Sequence, residues 1–462
     1  MTSHFFVCLL ICNCITSLFL IHIIPKMKNL LLYARLFDRH GIRHFRACGI
    51  IPKACFLWIC LFLFNPQGLR AQSKQVFQMD EKFIDQQLGL AANQLRILAS
   101  STPLGKFPQT FEQGKLRFSN SSWWCSGFFP GSLLLVSEGT KDESLKELAL
   151  RKLPDLEGEQ FNKGTHDLGF MLFCSFGNAL RLSNDTAAYL PILRNGAESL
   201  SSRYNAKTKT IRSWDHGSWK FAVIIDNMMN LEFLTQLSNI TGDPTYKDIA
   251  ISHANATIKH HFRKDNSTYH VIDYNPLDGT VLSKKTHQGA FDESSWARGQ
   301  AWGLYGFTML YRETGLKSYL KQAQKIADFV LSHPNMPKDL IPYWDFDFDK
   351  ISTASKIYAK RELRDASAAA IMASALLELA QYSKGKSAKR YFTSAESMLK
   401  TLSGSTYFAK EGELGGFILK HSVGALPLQG EIDVPLTYAD YYYVESLLRY
   451  QRLLRGESII KF

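Results

Sequence analysis

The 462-residue sequence predicts an all-α fold, an (α/α)6 barrel: a six-hairpin toroid with a small β-hairpin and irregular loops at its cleft. Three observations carry this reading. Helical periodicity recurs almost throughout residues 79–454. No interior linker breaks it, and no repeat of fixed period points to an open solenoid. Several helix starts carry polar or aromatic clusters, at Trp123-Trp124, His166-Asp167, Asp226, Trp296–Arg298, Arg364-Asp365 and Asp433. In a closed ring of helix pairs, alternate helix starts converge on the mouth of one cavity, so these clusters are expected to meet there.

The first 71 residues differ from the rest. Residues 5–24 are apolar, 26–53 are basic, and 54–64 form a second apolar run that ends in the small-residue site Leu69-Arg70-Ala71. A basic region, a short apolar region and a small-residue end describe a secretory signal peptide. The expected mature chain is therefore a single domain, residues 72–462. It is exported, in the periplasm by this reading, with no stable insertion in a membrane. Translation from Met27 would leave residues 1–26 outside the protein; an uncleaved anchor is the alternative. The leader holds +7 of the formal +12, so the mature part is near +5. That excess suits an acidic substrate and does not call for nucleic acid. Six of eight cysteines lie in the leader. Cys125 and Cys174 remain, either as two buried thiols or as one disulfide, with no zinc-ligand spacing.

Twelve helices are predicted, over 79–99, 127–138, 142–152, 167–182, 187–204, 226–239, 245–262, 296–314, 317–332, 365–382, 387–402 and 437–454. Turn residues such as Gly242, Asp243 and Pro244 separate most of them. Residues 268–281 alternate and turn at Asn275, Pro276 and Gly279, a hairpin signal. Residues 415–428 also look extended, though glycine-rich and irregular.

Asp226 stands as the one ionisable side chain in the apolar run Val223–Leu231. Desolvation there favours the protonated carboxyl and raises its pKa, as a general acid near neutrality requires. The alternative is a helix N-cap. Asp167, after Thr165 and His166, supplies a second carboxylate, and two carboxyls in unlike environments are the minimal kit for acid–base work on a glycoside. Here too a capping role is the alternative. Arg298 and Trp302 lie one turn apart on a helix face. A guanidinium can grip a carboxylate bidentately while an indole stacks on a sugar; the alternative is a surface arginine beside a core tryptophan. His270 lies on the candidate hairpin, where a structural role is the alternative.

The motifs Trp124–Gly131, His166–Phe170, Ile225–Met229, Thr286–Gly289, Trp296–Trp302, Arg364–Ala370, Glu431–Pro435 and Tyr438–Tyr443 occur in this order. Together they resemble the unsaturated glucuronyl hydrolases of glycoside hydrolase family 88. The resemblance runs in order from about residue 80 to 454. It implies an (α/α)6 barrel, no metal or other cofactor, and oligosaccharides with a 4,5-unsaturated uronate at the non-reducing end as partners. It implies hydration chemistry with Asp226 as acid and base and Asp167 as the second essential carboxylate. It further implies substrate contacts from Trp124, His270, Thr286, Gln288, Arg298, Trp302 and Ser422. Lys284 replaces a glycine common in the family, and is read either as a reader of sulfate or carboxylate or as a solvent-facing side chain. An unsaturated rhamnogalacturonyl hydrolase, another glycosidase of this barrel, or a non-catalytic exported glycan-binding protein are the competing readings.

Overall fold

The computed structural model describes residues 76–461, so the predicted leader lies outside the described residues. Outer and inner helices alternate along the chain. The outer ones are α1 (Glu81–Ser101), α3 (Glu143–Leu150), α5 (Thr186–Ser201), α7 (Thr245–His260), α9 (Lys317–Ser332) and α11 (Gly385–Leu402). The inner ones are α2 (Phe128–Thr140), α4, α6 (Asn227–Thr241), α8 (Ala297–Thr314), α10 (Ala366–Tyr382) and α12 (Thr437–Leu454). Helix α4 opens as a π-helix, Gly169–Gly177, and continues as an α-helix, Asn178–Ser183. Each inner helix packs on the next, and α12 returns to α2, closing the ring of an (α/α)6 barrel.

Composition separates the two rings. Inner helices are buried around their circumference: α10 reads ASAAAIMASALLELA with every one of those residues buried. Outer α9 and α11 are amphipathic and bury one stripe. Close crossings of inner helices need glycine. A Cβ on Gly306 of α8 would stand 2.6 Å from Met228 Cβ of α6, and one on Gly131 of α2 would overlap the Cys174 carbonyl of α4. Asp80, Asp142, Asp185 and Asp365 cap α1, α3, α5 and α10 through their carboxylates.

Short strands decorate the ring. The predicted hairpin forms as β6 (Val271–Tyr274) and β7 (Val281–Lys285), extended by β5 (Ala222–Ile224) in antiparallel register. Strands β1 (Phe107–Glu112) and β2 (Lys115–Ser119) make a second hairpin. A pair of two-residue strands, β3 (Tyr204–Asn205) and β4 (Thr210–Ile211), follows α5. The segment read as irregular holds β8 (Ser422–Ala425), which pairs with β9 (Gly430–Val434). Cys125 and Cys174 are both free thiols.

Away from the inner-helix N-termini, a buried ionic network ties the ring together. Arg312 of α8 bonds Glu232 of α6 and donates to Glu378 of α10 at 2.8 Å; Arg449 of α12 donates to Glu378 at 3.0 Å. Two guanidiniums thus share one carboxylate that is 1% exposed. Without it Arg312 keeps Glu232 and Glu313, and Arg449 keeps Glu445 at 3.6 Å, but the carboxylate that joins α8, α10 and α12 is lost; breaking a buried pair costs about 3–5 kcal/mol. Glu378→Gln is expected to lower the unfolding free energy by about 3–5 kcal/mol, read as a fall in the urea midpoint at constant slope. A loss below about 1 kcal/mol would show that the network does not hold the ring.

Candidate active site

The N-terminal ends of inner helices gather at one cavity of about 500 Å3, within the ~300–1,000 Å3 range of small-ligand sites. Asp226 stands immediately before α6. Its backbone is already helical (φ −54°, ψ −29°) and its side chain makes no capping bond. The capping reading is thereby corrected: the geometry leaves the carboxyl free for other work. Asp226 is 8% exposed and lines the cavity. Burial raises its pKa to about 7; Arg298 opposes the rise, the Asp167 charge adds to it, and the Trp302 indole opposes it.

His270 faces this carboxyl, with Nε2 3.7 Å from Asp226 Oδ2. Its tautomer follows from its other nitrogen. Backbone N–H groups of His287 and Gln288 both donate to Nδ1, at 3.1 and 3.2 Å. Nδ1 is therefore unprotonated and Nε2 carries the hydrogen. Burial, reinforced by neighbouring His287 and Arg298, holds the imidazole well below its ordinary range, so it stays neutral. Neither Nε2 nor Asp226 Oδ2 has a hydrogen-bond partner among the described residues. An N–H and a carboxyl set this way form a donor–acceptor pair for a third atom.

Thr286 acts one step behind. Its hydroxyl accepts from the Gly289 N–H at 2.8 Å and fixes the loop that aims two amides at His270. A Cβ on Gly289 would stand 2.6 Å from that hydroxyl oxygen. Thr286 itself is not in the cavity wall, whereas Gln288 is, bonded to the Gly424 carbonyl at 3.1 Å. Asp167 also lines the cavity, oriented by the Thr165 hydroxyl at 2.7 Å and by His166 Nε2 at 3.2 Å. It enters just ahead of the π-helical turn, which α6 pins: Asn230 Oδ1 accepts the Phe170 N–H at 3.1 Å. Trp124 is half-buried in the wall, its ring 4.8 Å from Tyr438.

Besides the contact expected from Thr286, four more are corrected. Trp302 is fully buried among Phe170 and Tyr442, so it cannot stack on a sugar. Arg298 lines the cavity, but Nη1 bonds Asp365 (3.2 Å) and the Val423 carbonyl, and Nη2 bonds the Gly424 carbonyl. Its two Nη groups are thus committed to the β8 segment, not free to clamp a ligand. Lys284 donates to the His260 carbonyl at 2.7 Å, lies over the Tyr269 ring and stands outside the cavity wall. Ser422 is fully buried on β8 and does not reach the cavity. Of the helix-start clusters, Asp433 bonds His421 and Arg364 bonds Asp339, both away from the wall.

Other wall residues were not singled out from sequence. Trp214 stacks on His216 (centroids 5.5 Å, planes 12° apart) and meets His287 at 5.4 Å. Gln109 and Glu431 stand elsewhere on the same wall. Tryptophan and histidine together in Trp214-Asp215-His216 were the available signal for the first group; Glu431 stood inside a quoted motif.

Two carboxyls of unlike setting in a ring-enclosed cavity walled by tryptophan and histidine define a carbohydrate-cleaving hydrolase of the (α/α)6 class. The sequence profile of Glycosyl Hydrolase Family 88 matches residues 104–456. The unsaturated glucuronyl hydrolase of Formosa agariphila is 46% identical over 333 residues, 72% of this chain and 80% of that one. The unsaturated glucuronyl hydrolase of Bacillus sp. (strain GL1) is 31% identical over 392 residues, 82% and 98% of the two chains. A solved unsaturated glucuronyl hydrolase specific for heparin superposes with a TM-score of 0.76 at 46% identity, covering 82% of this chain and 99% of that one. The chain belongs to Glycosyl Hydrolase Family 88 and is a glycosidase.

Two predictions follow from this geometry. An Asp226 that must donate a proton is competent below its own pKa. The kcat/KM profile is therefore expected to fall about tenfold per pH unit above about 7; a plateau to pH 9 would exclude that role. Arg298→Ala leaves Asp365 buried without its cation and is expected to cost about 3–5 kcal/mol of stability as well as activity. Loss of substrate affinity with an unchanged unfolding midpoint would restore the direct clamp.

Proposed function

We propose that this enzyme hydrates the 4,5-double bond of an unsaturated uronate at the non-reducing end of a lyase-generated glycosaminoglycan fragment. The observation that carries the reading is the pairing of a buried Asp226, its pKa raised to about 7, with the neutral N–H of His270. The protonated Asp226 gives its proton to C4. The resulting carboxylate takes a proton from the water that adds at C5, so the catalyst ends as it began. The C5 hemiketal opens, leaving a hemiacetal at C1 that expels the partner sugar. One water is consumed. No covalent link to the protein is needed, and Asp167 serves by holding ring hydroxyls and by disfavouring charge on Asp226.

The substrate class we favour is heparin-derived. Its support is the 46% identity and 0.76 TM-score to the heparin-specific hydrolase. We also propose export to the periplasm with cleavage after Ala71, supported by the basic, apolar and small-residue succession in the leader; protein recovered from the periplasm should begin at Gln72.

The deciding assay mixes the chain from Gln72 with unsaturated disaccharides from heparin and chondroitin and follows the ultraviolet absorbance of the conjugated double bond. Absorbance is expected to disappear with release of the partner sugar, fastest on heparin-derived members. Asp226→Asn should lower kcat by at least ~100-fold while binding persists. Persistent absorbance on every member, with folded protein, would overturn the hydration reading.

A further inference from the structure

Glu431 is a carboxyl in the cavity wall that the hydration chemistry does not use. It sits on β9 and lines the same cavity as Asp226 and Asp167. One oxygen is anchored: Gln109 Nε2 of β1 donates to Oε1 at 2.9 Å. No donor among the described residues reaches Oε2. That oxygen lies against Gly424, where any Cβ would overlap it. Gly424 cannot retreat, because its carbonyl is held by Arg298 and by Gln288. Residue 424 therefore has to be glycine for the carboxyl to stand where it does.

The backbone supports the same point. Glu431 has φ +52°, a left-handed conformation unfavourable for a non-glycine residue. Gln429 and Asp433 on either side are also left-handed (φ +57° and +55°). Pairing of β9 with β8 at Ala425↔Gly430, Val423↔Ile432 and Ser422↔Val434 holds the strand there. Left-handed residues of this kind cluster at functional sites.

We propose that Glu431 is a specificity-determining residue of the cavity: its free oxygen accepts a hydrogen bond from a sugar hydroxyl or amine and rejects a sulfate ester at that same position. This rests on the cavity being the substrate cleft proposed above. An acceptor-only carboxylate rewards a donor and repels an anion, so discrimination comes from the repulsive element as much as from the attractive one. Burial keeps Glu431 above the ordinary carboxylate range, with Gln109 and Arg298 opposing and Glu112 adding to the rise. The charged or titratable groups coupled to it are Arg298 on α8, Glu112 on β1, Cys125 ahead of α2 and Tyr438 on α12.

The test compares kcat/KM on unsaturated heparin-type disaccharides that are unsulfated, 2-O-sulfated on the uronate, 6-O-sulfated or N-sulfated on the hexosamine, for the wild type and Glu431→Gln. Glutamine keeps the shape and the Gln109 contact while removing the charge. At least one sulfated member is expected to gain about tenfold relative to the unsulfated one, and the position that gains identifies the hydroxyl or amine Glu431 faces. In the wild type, the sulfated-to-unsulfated ratio should rise as pH falls and Glu431 takes up its proton; in Glu431→Gln it should stay flat. Taking a ratio cancels the titration of Asp226, which both substrates share. Ratios unchanged within twofold on all members would overturn the inference and leave the hydration reading intact. A pH slope of the ratio that persists unaltered in Glu431→Gln belongs to another group of the wall and would overturn it equally. The wild-type pH series needs no variant to fold. No turnover of any member by the wild type would overturn both readings.

Discussion

The desolvation of one carboxyl, Asp226, is the constraint around which the cleft is built. Charge there is disfavoured by burial at 8% exposure and by the Asp167 charge, and only partly restored by Arg298 and the Trp302 indole. The balance leaves the group poised near neutrality, where it can both give and take a proton. A capped helix start would have removed this property, since backbone N–H bonds to the carboxylate stabilise the charged form. Helix α6 instead begins without a side-chain cap, while α1, α3, α5 and α10 are capped by aspartate in the ordinary way.

Positioning comes from elements that do not touch one another in sequence. The β5–β6–β7 sheet brings His270 beside Asp226, since Ile225 N–H donates to the His270 carbonyl at 3.0 Å as β5 runs into α6. The Thr286–Gly289 loop then fixes the His270 tautomer through two amides. Opposite them, Arg298 ties α8 to α10 and to β8, and β8 in turn sets β9. The barrel supplies a rigid ring, and the strands on its rim supply the aim.

Helices were the most legible feature of the sequence. All twelve expected helices form, and 317–332 and 437–454 match to the residue, because inner and outer helices alternate in composition and end at strong turn signals. The strands β1, β2, β3, β4, β5 and β9 were missed, whereas β8 falls in 415–428, which looked extended: each missed strand is two to six residues long and is held by tertiary pairing rather than by its own pattern. Site residues divided by the same logic. Asp226, Asp167, His270, Gln288 and Trp124 were identifiable as unusual side chains at helix starts and loops, and the fold brings them to one place. For Trp302, Arg298, Ser422 and Lys284 the residue type was informative but its direction was not, and direction is set by packing that a sequence does not display. Glu431 was hidden for a related reason: its place in the wall depends on a left-handed strand and on a glycine seven residues earlier.

The most direct measurement is the titration of the Asp226 carboxyl itself, by infrared difference spectroscopy of the wild type against Asp226→Asn across pH. The account predicts a protonated carboxyl band, absent from the variant, that disappears with a midpoint of about 7. A band that is already lost by about pH 4–5, in the ordinary aspartate range, would contradict it.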